Sequence, residues 1–399
     1  MPASTGLPVP VRLGYGARVA SAPTSPGRFA ARIAVGIAGL QAAGACLLLL
    51  SVPLPVRAAL AAVIVVALAL ALPRRQGRTL PGWLLVRARF RLRVARWRGY
   101  RPRWPIEFVV PGARTRGHAD RAGNRIGLLA DGGGWTAILR LDPIADDVLF
   151  GRLGGVMDEL AATVQRSDCD LDGVQLIGWS LSAPTWTGGG PPGSHGPAVR
   201  RTFWVAARFD AARHPAAVAA RGGGEDGAIR SAATAALRLA TSLRARGHGL
   251  RVLDATELVA ELGTSLGLAP HPRSTHAAPV ADPIPWPVAE ETWRWWSLGP
   301  LHHACFRPRR PPHRSAGLVS WFALLARPPA VTTCVSALYA PGRGRAAVVV
   351  RVAVPTGGGP DTIRGALRQA SADLPARLTP LHGEHFSGVR ATVPLAALF

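Results

Sequence analysis

The chain has 399 residues and carries 47 basic against 23 acidic side chains, a formal net charge of +24. All of the basic residues apart from His are Arg, so a P-loop lysine is excluded, and four scattered cysteines with no CxxC pair argue against a disulfide framework or a zinc knuckle. The charge is unevenly placed: residues 1–106 hold 16 Arg and no acid, whereas the remaining 293 hold 31 Arg and 23 acids.

Residues 1–28, rich in Pro, Gly, Ser and Ala with isolated Arg, are expected to be a flexible basic N-terminus. Residues 29–73 then run "FAARIAVGIAGLQAAGACLLLLSVPLPVRAALAAVIVVALALALP", too long for a signal peptide and broken by Pro53 and Pro55. Each half offers roughly 20 apolar residues, the length that crosses a hydrocarbon core. The expectation is a transmembrane hairpin, about 30–50 and 54–72. Four Arg precede the first span, one lies in the turn and eleven follow the second, which puts both termini in the cytoplasm of a multi-pass inner-membrane protein.

Residues 74–105 contain "WLLVRARFRLRVARWRG". Wound as a helix, Trp83, Val86, Phe90, Val94 and Trp97 fall on one stripe. Arg87, Arg91 and Arg98 flank one side, and Arg89, Arg93 and Arg96 lie towards the other. This is the layout of an interfacial helix, with rings at the headgroup boundary and guanidinium groups on anionic lipid phosphates, each worth about 1 kcal/mol. "RARFRLRV" also alternates with period two, which is compatible with a strand. A nucleic-acid arm would use the same charges and rings. The adjoining apolar stretch favours lipid, and no nucleic-acid partner is expected; one face of the helix is also suited to a partner protein.

The rest reads as α+β. Strands are expected at "RIGLLADGGGWTAILRL", turning at Asp131-Gly132, and at "DGVQLIGWSLSA", "RRTFWVAARFD", "AVTTCVSALYA" and "RAAVVVRVAV". Helices are expected at "DDVLFGRLGGVMDELAATVQR", "DGAIRSAATAALRLATSLRARG", "DTIRGALRQASADL" and "DATELVAELGTSLG", the last with Asp254 as N-cap. A closing strand is expected near "HFSGVRATVPL". The reading is two cytoplasmic α+β units, 106–267 and 289–399, joined by the Pro- and His-rich connector 268–288.

The motif search assigns no catalytic, cofactor-binding or metal-binding residue. "DCDLDG" imitates a calcium loop, but its twelfth position is Trp179 in place of a bidentate Glu, so it reads as an acidic turn. "LHHACF" and "HGEH" lack the spacing that puts two imidazoles on one helical face. The Gly-rich runs fit no phosphate cradle, there is no GxSxG elbow, and "DPIADD" before a helix is explained by capping. Trp293, Trp295 and Trp296 in "EETWRWWSLG" are candidate subunit-interface aromatics.

A short-turn apolar hairpin, the helix "WLLVRARFRLRVARWRG", the entry "RIGLLADGGGWTAILRL", the stretch "EETWRWWSLGPLHHACFRP" and the end "LTPLHGEHFSGVRATVPLA" occur in an order that resembles EccE, a membrane component of actinobacterial type VII (ESX) secretion systems. The resemblance spans most of residues 29–399; the Gly/Pro loop at 188–198 and "HGEH" depart from it. It implies a non-catalytic structural subunit without cofactor, stabilising an inner-membrane assembly with EccB-, EccC- and EccD-like subunits and a mycosin-like protease. On this reading, deleting residues 83–98 loosens the assembly and leaves the cytoplasmic region folded. The rival is a membrane-associated glycosyltransferase-like enzyme acting on anionic or lipid-linked substrates, revived by bound nucleotide or metal. A weaker third reading is a tethered DNA-binding protein with salt-dependent affinity.

Overall fold

Apolar spacing sets most of the elements, and the capping chemistry sets several of their ends. The computed structural model describes residues 74–75, 78–97, 100, 102, 104–143, 145, 148–166, 170–182, 199–268, 289–309, 315–326, 330–357, 365, 367–372, 374 and 376–397, with scattered positions in 53–63. Residues Met1–Val86 and Arg87–Phe399 form two compact units. In the first, Arg74–Arg75 pairs with Arg78–Thr79 and the first turns of helix α1, Leu80–Trp97, follow. The basic segment is therefore helical despite its period-two alternation. The expected spans at 30–50 and 54–72 lie outside the described residues apart from isolated positions. No described helix is long and apolar enough to cross a membrane.

The second unit is built on one antiparallel sheet. Its strands are β1 (Arg114–Ala119), β2 (Arg125–Ala130), β3 (Trp135–Leu141), β4 (Gly173–Ser182), β5 (Val199–Phe209), β6 (Leu250–Val252), β7 (Ala289–Glu291), β8 (Trp296–Leu298), β9 (Leu301–Pro308), β10 (Thr332–Tyr339), β11 (Ala347–Pro355) and β12 (Leu378–Pro380). Their order is β1-β2-β3-β5-β4-β10-β11-β9-β8-β7, with β6 added to β3 and β12 to β9. The helices are α2 (Leu149–Gln165), α3 (Pro215–Ala219), α4 (Gly224–Ala245), α5 (Ala255–Ser265), α6 (Ser315–Phe322) and α7 (His385–Arg390).

The topology repeats itself. β3-α2-β4-β5-α4-β6 is a βαββαβ unit with strand order β6-β3-β5-β4, the arrangement of a ferredoxin-like core. β9-α6-β10-β11, helical residues 367–370 and β12 reproduce it as β12-β9-β11-β10. Each core is preceded by a hairpin, β1-β2 or β7-β8, whose second strand shares the outer edge of the next strand with the last one. Thus β3 pairs β2 over Trp135–Ala137 and β6 over Leu139–Leu141, and β9 pairs β8 over Leu301–His303 and β12 over Phe306–Pro308. Each is followed by a helix, α5 or α7. The two halves join where β4 meets β10, from Val174↔Tyr339 to Leu181↔Thr332. These central strands are covered on both faces, which is why they read as continuous apolar runs.

On one face α2, α4 and α6 pack Leu153, Met157, Leu239, Leu243, Trp321 and Phe322 against the sheet. Buried Ala228, Ala232, Ala236 and Ala240 let α4 approach closely. On the other face lie α5, α7, the turn Pro105–Phe108 and the last residues, around Ile177, Trp179, Trp204, Leu262, Val389 and Leu395. The N-terminus of α5 is fixed as expected: Asp254 accepts from the Thr256 and Glu257 N–H groups and Glu257 returns the bond, a capping box. Asp131 closes the β2–β3 turn and pairs with Arg208 at 2.6 Å. Burial alone would raise its carboxyl, but hydrogen bonds and charge from Arg208, with the Gly133 N–H and Arg390, hold it below the ordinary value.

The expected closing strand is a short helix, α7, followed by turns. Gly388 explains this: a Cβ there would stand 2.3 Å from the Cβ of Cys305, so the segment crosses β9 at backbone distance rather than pairing alongside it. Thr392 Oγ1 then donates to the carbonyls of Gly388 and Val389.

Among the described residues, the buried Arg351 is paired with no carboxylate. Arg351 on β11 is 3% exposed and stands between Cys305 and Cys334 on the neighbouring strands. Its Nη2 donates to the Ser265 carbonyl, the last of α5, where the helix dipole is negative. Replacing Arg351 by Ala should cost about 3 kcal/mol, since it empties a packed site and uncovers that carbonyl. Met, which keeps the stem, should lose clearly less; equal urea midpoints for both variants would contradict this account.

Candidate functional site

The second half of α1 is fastened to the sheet by a buried ion pair. Arg93 Nε and Nη2 donate to Glu291 Oε2 and Oε1 at 2.6 and 2.8 Å, and Nη2 also donates to the Gly383 carbonyl at 2.7 Å. The Phe386 N–H adds a bond to Glu291 Oε1 at 3.0 Å. The carboxylate is thus held in bidentate, charge-assisted geometry between α1, β7 and α7. Burial raises the Glu291 carboxyl above its ordinary value, against the opposing pull of the Arg93 hydrogen bonds and charge.

Rings surround the pair. Phe90 meets Trp293 edge to face with centroids 5.5 Å apart, and Trp97 packs on Phe386 at 5.2 Å and on Tyr100 at 5.0 Å. The Arg87 guanidinium lies over Trp293, and that of Arg93 over Phe386. Trp293 projects from the β7–β8 turn, which Thr292 closes by accepting from the Arg294 and Trp295 N–H groups. Gly383 seats it: its φ is +72°, its N–H donates to the Trp293 carbonyl, and a Cβ would stand 2.3 Å from the indole. Gly383→Ala should therefore cost about 2–4 kcal/mol, from left-handed strain plus overpacking. A thermal midpoint unchanged from wild type would show that the indole is not held there.

The residues expected to meet lipid separate into two groups. Phe90, Arg93 and Trp97 are engaged with β7, its turn and α7, and the exposed Arg87 lies over Trp293, whereas Arg89, Arg91 and Arg96 are exposed on the other sides of the helix. Trp83 is buried, and Arg98 lies outside the described residues. Of the expected interface tryptophans, Trp293 holds α1. Trp295 stacks on His302 at 4.8 Å, and Trp296 is buried beside His303.

The two histidine motifs do meet. His385 Nδ1 accepts from the Cys305 N–H at 3.1 Å, and the His382 and His385 rings lie 5.9 Å apart. Among the described residues no three His, Cys, Asp or Glu side chains are placed to hold a metal ion. Burial pushes both the Cys305 and Cys334 thiols up, the opposite of an activated nucleophile. In the acidic turn, Asp172 accepts from the Asp210 N–H and pairs with Arg213 at 3.0 Å, closing β4 on β5.

Sequence reasoning missed Glu291, Gly383 and Phe386. Glu291 stands 198 positions from Arg93, and no local pattern links them.

A family model described as "EccE: Putative type VII ESX secretion system translocon, EccE" matches residues 197–307, from β5 through β9. A comparison with curated proteins finds no match. The matched segment includes Glu291 and Trp293, the residues of the β7–β8 hairpin that hold α1, and over these residues the chain is similar to EccE of the type VII secretion system.

Proposed function

We propose that the chain is a non-catalytic structural subunit of a type VII secretion complex, anchored in the plasma membrane by residues 29–73 with both termini in the cytoplasm. The observation that supports it best is the fastening of α1 by Arg93, Glu291 and the surrounding rings. The second half of a helix that follows an apolar stretch in the sequence is tied to a long sheet by desolvated contacts. The α+β units at 106–267 and 289–399 act as repeated scaffold halves offering surfaces to EccB-, EccC- and EccD-like subunits and a mycosin-like protease. Anionic headgroups are the counter-charge for the arginines that directly follow the second span, beginning at Arg74, Arg75 and Arg78.

Deleting residues 83–98 tests this reading. It removes the tether and also uncovers Trp293, Phe386 and the Glu291 carboxylate, so the remaining domain should stay helical by circular dichroism yet melt earlier. On native gels the deleted protein should leave the large assembly. An assembly that retains it at wild-type stoichiometry would overturn the structural role given to α1.

A further inference from the structure

With its aromatic face spent on the sheet, α1 keeps a second apolar row on the opposite side. Leu85, Ala88, Leu92 and Ala95 recur at spacings of three, four and three residues, the a and d positions of a heptad. All four are exposed, Leu92 by 62%. The flanking e positions are Arg89 and Arg96, and the g positions are Leu84 and Arg91, all exposed.

We infer that this row is a docking seam for an acidic amphipathic helix of a different subunit, one with Glu or Asp opposite Arg89, Arg91 and Arg96. Leucine at a supplies knobs, and alanine at d lets two backbones approach closely. Arg at three of the four e and g positions selects a partner of opposite charge. A second copy of this chain would set arginine against arginine. The longer stretches of the chain outside the described residues do not complement the seam either: residues 1–52, 183–198 and 310–314 contain no acid, 269–288 only Asp282 and 358–364 only Asp361. A lipid surface is the poorer fit, because the rings suited to the headgroup boundary, Phe90 and Trp97, are occupied by Trp293 and Phe386. The inference rests on the scaffold reading and names the chemistry of one partner.

Two probes test it on the full-length protein. Against the purified protein in detergent, a helical peptide with Leu at a and d and Glu at e and g should bind, and the same peptide with Lys at e and g should not. R89E/R91E/R96E should weaken the Glu peptide at least about tenfold, as the loss of several surface pairs implies. Leu92→Asp, a change at an exposed position that leaves the fold intact, should do the same. In native membranes, a photoreactive side chain at position 92 should crosslink to an acidic helical segment of a co-assembled subunit. Adducts with lipid or with a second copy of the chain, or equal binding of both peptides, would overturn the seam. If the assembly still co-isolates in that case, the scaffold reading survives without it.

Discussion

Lowering the pH from 7 to 5 is expected to cost the fold about 2 kcal/mol through the buried His385, with a further loss in the same direction through the buried His303. Burial lowers His385 to about 3, helped by His382 and Arg93, and lowers His303 well below its ordinary value, helped by Arg351 and His302. The geometry agrees. His385 Nδ1 must stay unprotonated to accept the Cys305 N–H, and neither ring nitrogen of His303 has a hydrogen-bond partner among the described residues. Both folded values lie below the unfolded one, so the unfolded chain takes up protons first as pH falls. Their stability is complete above about 6.5 and is lost below it, at about 1.4 kcal/mol per pH unit for His385. His248, also lowered by burial, adds in the same direction, whereas Glu291, whose folded value is raised, gains stability on acidification and offsets part of the loss. Asp131 and Glu159, both lowered, act only in stronger acid. Urea midpoints at pH 7, 6 and 5 in a Glu291→Gln background read the histidines directly. His303→Phe should reduce the slope. A midpoint flat across this range would mean that neither ring is held neutral.

Arg93→Ala should cost about 3–5 kcal/mol, as expected when one partner of a buried pair is removed. The remaining Glu291 is 7% exposed, and its only other partner named here is the Phe386 N–H. The Gly383 carbonyl also loses its donor. Glu291→Ala should cost a similar amount, but the double variant should fall short of the sum by about 1–3 kcal/mol, because one interaction is counted twice. Strict additivity would show that the two side chains act separately. Arg89→Ala, one turn earlier and exposed, should stay within about 0.5 kcal/mol of wild type.

Local chemistry was readable from the sequence wherever its cause was local. The N-cap at Asp254, the Asp131-Gly132 turn and the strands β4, β5 and β10 follow from neighbouring residues, and each stands where it was expected. The helical stripe through Phe90 and Trp97 was legible as an apolar face, but periodicity names a face and not what covers it. A headgroup boundary and the pair Trp293–Phe386 satisfy the same pattern. Glu291, which decides between them for Arg93, sits in a three-residue strand among other acids. The repeat of the two sheet halves was likewise hidden. α2 has 17 residues and its counterpart α6 has 8, so conserved topology leaves no matching sequence period. At α7 the alternation in "HFSGVRATVPL" favours a strand, yet the close crossing over Cys305 at Gly388 decides for a helix.

The fastening of Arg93 to Glu291 lies partly inside the segment that the family model matches, residues 197–307, and gives the proposed scaffold a contact that can be tested. The most direct measurement is native-gel mass spectrometry of gently solubilised, mildly crosslinked membranes carrying this protein with a C-terminal tag. The account predicts that the tag migrates in one large assembly with an FtsK-like ATPase and other membrane subunits, and that Arg93→Ala/Glu291→Ala reduces its occupancy there. A protein recovered only as a monomer or dimer, with crosslinking capturing none of those subunits, would contradict it.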